Sequence, residues 1–199
     1  MARSERGRPR RAVRERLGGA RSLAVAAYGA ALCSAAYGAM KLTQALGGNA
    51  LADKDPLPPE LRDRLLARDP LFVASHWALA AAALVGVLLA LSAVRPWGAA
   101  LPRRLVPLVA GVLGAFMVLR SVGFSGIGFV GDGLTLAGVR ELPAEHAGLI
   151  RELALWDLVL WSPFFLLWGV CWSFLAWRTG RAARSPASSR GGGAGLRPG

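Results

Sequence analysis

The chain has 199 residues, enough for one domain, and 54% of them are hydrophobic. Its formal net charge of +12 would suit nucleic acid, but the arginines flank apolar blocks and form no reading face, which excludes nucleic acid as a partner. With a mean hydropathy of +0.40, and with the apolar residues gathered into four blocks, the composition also excludes an ordinary soluble fold.

Residues 1–21 form an arginine-rich arm that cannot bury a core and is read as disordered. The first apolar block, about 22–46, has the roughly 20 residues a membrane span needs, with Lys41 and Gln44 near its end. It is longer than the apolar core of a cleaved signal, and Cys33 lies in a poor lipobox, so the block is read as a retained span. Gly47-Gly48-Asn49 stops the helix. Pro58-Pro59-Glu60 then starts a short amphipathic helix, with Leu57, Leu61 and Leu65 every fourth residue, lying on the outer surface.

The second block, about 71–94, carries His76 as its strongly polar residue, and the third, about 105–124, carries Arg120 near its end. In the glycine-rich stretch that follows, Gly126-x-Gly128-x-x-Gly131 matches a dinucleotide fingerprint by letter, but it follows a membrane span where the fingerprint needs a strand. These glycines predict a flexible cap or a shallow re-entrant turn. Pro143 and Glu145 restart a helix with Leu142, His146, Leu149, Ile150 and Leu153 on one face. The fourth block, about 153–177, carries Asp157 near its start. Pro163 removes a backbone bond to Val159 and should bend this helix, with Ser162 helping to satisfy the freed carbonyl. Gly29, Gly38, Gly111 and Gly114 would let the spans approach closely. Residues 179–199 form a second basic tail, also read as disordered. The fold class is therefore an all-α membrane protein, an up-down-up-down bundle of four transmembrane helices with short outer surface helices.

Charge placement sets the orientation. The arm, the middle connection and the tail together hold sixteen arginines against Glu5 and Glu15, while the other two connections hold ten acids and eight basic residues. Basic loops stay in the cytoplasm, so both termini are cytoplasmic in a cell membrane. The arginine-rich tails face anionic lipids there. Tryptophans mark both interfaces: Trp77, Trp156 and Trp161 on the outside, Trp97, Trp172 and Trp177 on the inside.

Ionisable residues within spans are functional suspects. Counted from the arginine at the cytoplasmic end of each span, Lys41, His76, Arg120 and Asp157 stand ~30, ~28, ~24 and ~31 Å up the bundle. All four thus approach the outer interface, with Arg120 deepest. They mark the edge of the lipid, or they build a polar pocket at the outer mouth. In that pocket Asp157 would pair with Arg120 as a carboxylate–guanidinium fork, and Lys41, Gln44 and His76 would line the rest. Such a pocket suits an anionic ligand or a lipid headgroup.

No catalytic set is visible: there is no HExxH, no CxxC, no Ser/His/Asp group at one level and no pair of carboxylates within a span. Cys33 and Cys171 lie inside apolar blocks without metal spacing, and the two histidines do not face each other at haem depth, so no metal and no cofactor is expected. Two readings stand. One is a non-catalytic protein with a structural or interaction role. The other is a small-molecule or lipid-binding component of transport, which at this length would work as a homo-oligomer.

The stretch Lys41-Leu42-Thr43-Gln44-Ala45-Leu46-Gly47-Gly48 resembles a segment of small bacterial four-span membrane proteins of unknown function, as does Trp156-Asp157-Leu158-Val159-Leu160-Trp161-Ser162-Pro163-Phe164-Phe165. The resemblance covers about residues 22–178. Those proteins carry an aromatic residue before Ala-Leu-Gly-Gly, where this chain has Gln44. The resemblance implies four spans and lends no catalytic residue.

Overall fold

A computed structural model of the chain describes residues 8–48, 51–123 and 126–184. Among the described residues there is no strand. Four segments are long and apolar enough to cross a membrane: Gly18–Ala45, Pro70–Ser92, Leu105–Val122 and Ala147–Arg184. The chain is therefore an all-α, multi-pass membrane protein. Successive spans alternate in direction, so the first and last span share a terminal face; the opposite, distal face carries the first and third connections.

The elements in order are α1 (Arg8–Ala45), a 3-10 turn at Ala52–Lys54, α2 (Pro59–Leu66), α3 (Pro70–Ser92), a 3-10 turn at Pro96–Ala100, α4 (Leu105–Val122), α5 (Phe129–Leu136), α6 (Ala147–Trp156), a π turn at Asp157–Trp161 and α7 (Ser162–Arg184). The start of α3 shows how sharply the sequence sets a boundary. Pro70 takes the first helical position, where no N–H is needed, and the Asp69 carboxylate accepts from Leu71 N at 2.9 Å and Phe72 N at 3.3 Å.

α1 packs against α3 and α7, and α4 packs against α7, while α3 and α4 barely touch. Small residues permit this. A Cβ added at Gly114 would stand 2.7 Å from Ser173 N, and one at Gly169 would stand 2.9 Å from Val118 N, so α4 and α7 meet backbone to backbone. Gly38 meets Ala83 and Gly29 meets Cys171 just as tightly. Gly111 does not belong with them: its added Cβ would lie 3.8 Å from Ala176, an ordinary contact, because the closest crossing falls one turn later. Between the helices, Ala26, Ala27, Ala30, Ala90 and Ala110 make room for Trp168, Trp172 and Leu175. Trp168 Nε1 donates to Ser34 Oγ at 3.1 Å. Trp172 is fully buried and Trp161 nearly so, and both rings pack inside the bundle.

Three further expectations need correction. α1 begins at Arg8 and α7 runs to Arg184, so residues 8–21 and 179–184 are helical where disordered arms were predicted. Arginine and alanine propagate a helix that the adjoining span has already nucleated. Residues 1–7 and 185–199, to which the same expectation applied, lie outside the described residues. The glycine-rich stretch enters a helix, α5, at Phe129 in place of a flexible cap, and Gly126 and Gly128 before it are bends with positive φ at both glycines; Phe124 and Ser125 within it lie outside the described residues. Finally, Pro163 is accommodated by the π turn just before it, and the Ser162 hydroxyl donates to Asp157 and not to a freed carbonyl.

Candidate functional site

The polar residues of the distal half fall into two clusters. In the larger, α4 carries Arg120 in its last turn and the π turn carries Asp157, which is completely buried. The two form a fork: Nη2 donates to Oδ1 at 2.5 Å and Nη1 to Oδ2 at 3.1 Å. Oδ2 also accepts from Ser162 Oγ at 2.8 Å and from the Gly128 backbone N–H at 3.0 Å. The π turn delivers this geometry. Asp157 opens this wider turn facing α4, and Ser121 Oγ donates to the Ser162 carbonyl at 2.8 Å and ties the same two helices.

Gly128 brings in the third connection. Its φ of 96° lies in the region that favours glycine, and an added Cβ would stand 2.5 Å from Ser121 O and 2.7 Å from Arg120 O. Only a glycine can seat the chain this closely on the end of α4. The same N–H also donates to Asp132 Oδ2 at 2.6 Å, so two buried carboxyls meet at one donor. Burial, reinforced by the hydrogen bond and charge of Asp157, pushes the Asp132 carboxyl up to about 7.

The second cluster is centred on Lys41, whose ammonium donates to Asp55 at 2.8 Å and to Gln44 Oε1 at 3.0 Å. Asp55 belongs to the first connection. That connection is tied down again by Trp161, whose Nε1 donates to the Lys54 carbonyl at 2.7 Å, and by the Lys54 ammonium, 4.6 Å above the Trp156 ring. Aromatic rings join the clusters. The Lys41 ammonium lies 5.6 Å from the Tyr37 ring, Tyr37 meets Phe165 edge-on at 6.0 Å, and the Arg120 guanidinium lies 4.6 Å from Phe165.

Of the five residues predicted to line one pocket, the structure brings Arg120 and Asp157 together as the predicted fork, and Lys41 and Gln44 together in the neighbouring cluster. His76 stands apart on α3. Its Nδ1 bonds the Phe72 carbonyl at 2.7 Å, and its buried Nε2 has no hydrogen-bond partner among the described residues. Cavities of about 190, 490 and 230 Å³ are lined by side chains other than these five. Sequence reasoning missed Asp55, Asp132 and Gly128. The one sequence signal for Asp132 was an acid on an apolar stretch, four residues after the glycine that caps it. Among the described residues no group of His, Cys, Asp and Glu could hold a metal ion.

A family model described as "Protein of unknown function (DUF3995)" matches residues 34–172. The matched stretch starts in α1 and ends in α7, so it contains both clusters. No curated protein and no solved structure matches the chain.

Proposed function

The chain belongs to the DUF3995 family of proteins of unknown function, and from the geometry of its distal layer we propose that it is a non-catalytic protein of the cell membrane with a structural or interaction role. The observation that carries this reading is that its span-embedded charges are answered within the chain. Arg120 is forked by Asp157, and Lys41 is held by Asp55 and Gln44. A pocket built for an anionic ligand would instead leave a cation unanswered. The clusters act as clasps: one fastens the first connection to α1, the other fastens the third connection across α4 and α7.

In this reading the terminal face is cytoplasmic and the distal face lies outside, as the arginine-rich terminal segments favour. The terminal face takes anionic lipids as its partner. Trp177 sits among cations there, with the Arg181 and Arg178 guanidinium groups 4.2 and 5.8 Å from its ring, a composition that suits the lipid interface.

Native mass spectrometry of the protein in mild detergent tests the proposal. The expected spectrum holds the chain with phospholipid adducts alone, and the visible absorbance spectrum is blank. A stoichiometric non-lipid molecule that is lost in Arg120→Leu would overturn it and restore the ligand pocket. Impermeant thiol labelling of cysteines placed at either end checks the orientation; labelling of intact cells from outside would refute it.

A further inference from the structure

Asp132 adds a charge that the Arg120–Asp157 clasp does not balance. One guanidinium and one backbone N–H serve two buried carboxyls. Among the described residues, no second cation bonds Asp132. α4 contributes Arg120, and the π turn contributes Asp157. The segment after α5 contributes Arg140, but this side chain is exposed and donates to the Gly126 carbonyl at 2.9 Å. α6 turns Ile150, Leu153 and Ala154 toward the same cavity while its Arg151 and Glu152 are exposed, and the first connection contributes only Pro56–Pro59. Two carboxylates at one donor cannot both ionise cheaply in a buried site. Asp157 keeps its charge because the fork faces it, so the proton belongs to Asp132.

We propose that Asp132 and Asp157 form a proton-sharing pair that latches α5 and the glycine-rich connection onto the bundle, closed with the proton bound and released as the pH of the distal solution rises toward neutrality. The access route is the cavity of about 230 Å³ among the distal connections, which Asp132 lines together with Thr135, Gly126 and Arg140. In the closed state the Asp132 O–H donates to the Asp157 carboxylate. On opening, that O–H bond breaks, the proton passes to water, and two carboxylates are left to share one N–H and one guanidinium. The repulsion acts on the seat of Gly128, the closest point between the connection and α4. The inference rests on the reading of the distal network as a clasp and adds a trigger to it.

The test is hydrogen–deuterium exchange of the full chain in detergent from about pH 5.5 to 8.5, corrected for intrinsic exchange rates. Peptides covering 126–140 should lose protection by up to about tenfold per pH unit as the pH rises toward neutrality and level off above it, as a single deprotonation linked to opening requires, while peptides from α1 and α3 stay level. Asp132→Asn carries the shape of the protonated acid, and its 126–140 segment should stay protected throughout. Infrared spectroscopy of the wild-type protein should show a protonated-carboxyl C=O band that disappears over the same range. That readout stands even if the variant does not fold. A titrating band with unchanged protection would overturn the latch, and the absence of any titrating band would overturn the shared proton. Neither result bears on the clasp itself, which the Arg120 and Asp157 variants test separately.

Discussion

Two buried ion pairs fasten the distal connections, and they differ in where their partners are rooted. Arg120 and Asp157 both sit on membrane-spanning elements, and Asp157 accepts from the guanidinium, a serine hydroxyl and a backbone N–H. Lys41 sits on a span, but Asp55 sits on the first connection, outside every span. The first pair is a fixed crossing of two rigid helices. The second is a tether whose acidic end can turn to water. Desolvation therefore penalises both members of the first pair when it is broken, but only the lysine of the second.

The largest expected effect breaks the first pair. Asp157→Asn and Arg120→Leu should each cost about 3–5 kcal/mol, the usual loss when one partner of a buried pair is stranded. For a chain of this size that lowers the Tm in detergent by roughly 10 °C. The double variant should recover part of the loss, since neither charge is then left alone. Simple addition of the two losses would show that Arg120 reaches water by itself and that the fork contributes little.

The second pair should respond asymmetrically. Asp55→Asn leaves Lys41, only 7% exposed, to Gln44 alone and should cost about 1.5–3 kcal/mol. Lys41→Met frees Asp55 into water and should cost less than half as much. Equal losses in thermal unfolding would erase the distinction between a crossing and a tether.

A smaller, graded effect separates the two clusters by pH. The Asp132 carboxyl is raised from its ordinary 3.8 to about 7. Between those values the unfolded chain holds fewer protons than the folded one, so stability is highest below about pH 4 and is lost as pH rises toward 7. Asp132→Asn should flatten this slope, and Asp55→Asn should leave it unchanged. A slope that survives in Asp132→Asn would assign the titration elsewhere.

The same contrast explains what the sequence could reveal. Arg120 and Asp157 interrupt apolar blocks at comparable heights, and a charge there needs an answer, so their pairing was legible from spacing alone. The four spans were legible for a similar reason, since nothing but lipid suits such runs. Asp55 was not legible, because an acid in a polar connection carries no mark distinguishing it from its neighbours, and Asp132 was marked only by the apolar stretch around it. Gly128 was hidden behind a nucleotide-binding letter pattern, although its actual use is a tight seat on α4. The π turn had a single herald, Pro163, which announces a lost hydrogen bond but not how the helix will absorb it.

The smallest predicted effect tests whether the tether has a second anchor. Trp161 Nε1 donates to the Lys54 carbonyl at 2.7 Å, one residue from Asp55, so the indole and the lysine hold the first connection at adjacent points. Trp161→Phe keeps most of the buried ring and removes the donor. The loss should be about 0.5–1.5 kcal/mol, the net value of one neutral hydrogen bond. If the two anchors hold one segment together, the loss should shrink in an Asp55→Asn background, where the connection is already loosened. Against Arg120→Leu it should add in full, because that variant disturbs the other connection. A double-mutant cycle in thermal unfolding separates these outcomes. Coupling of Trp161 to Arg120 but not to Asp55 would mean that the indole belongs to the α4–α7 crossing after all.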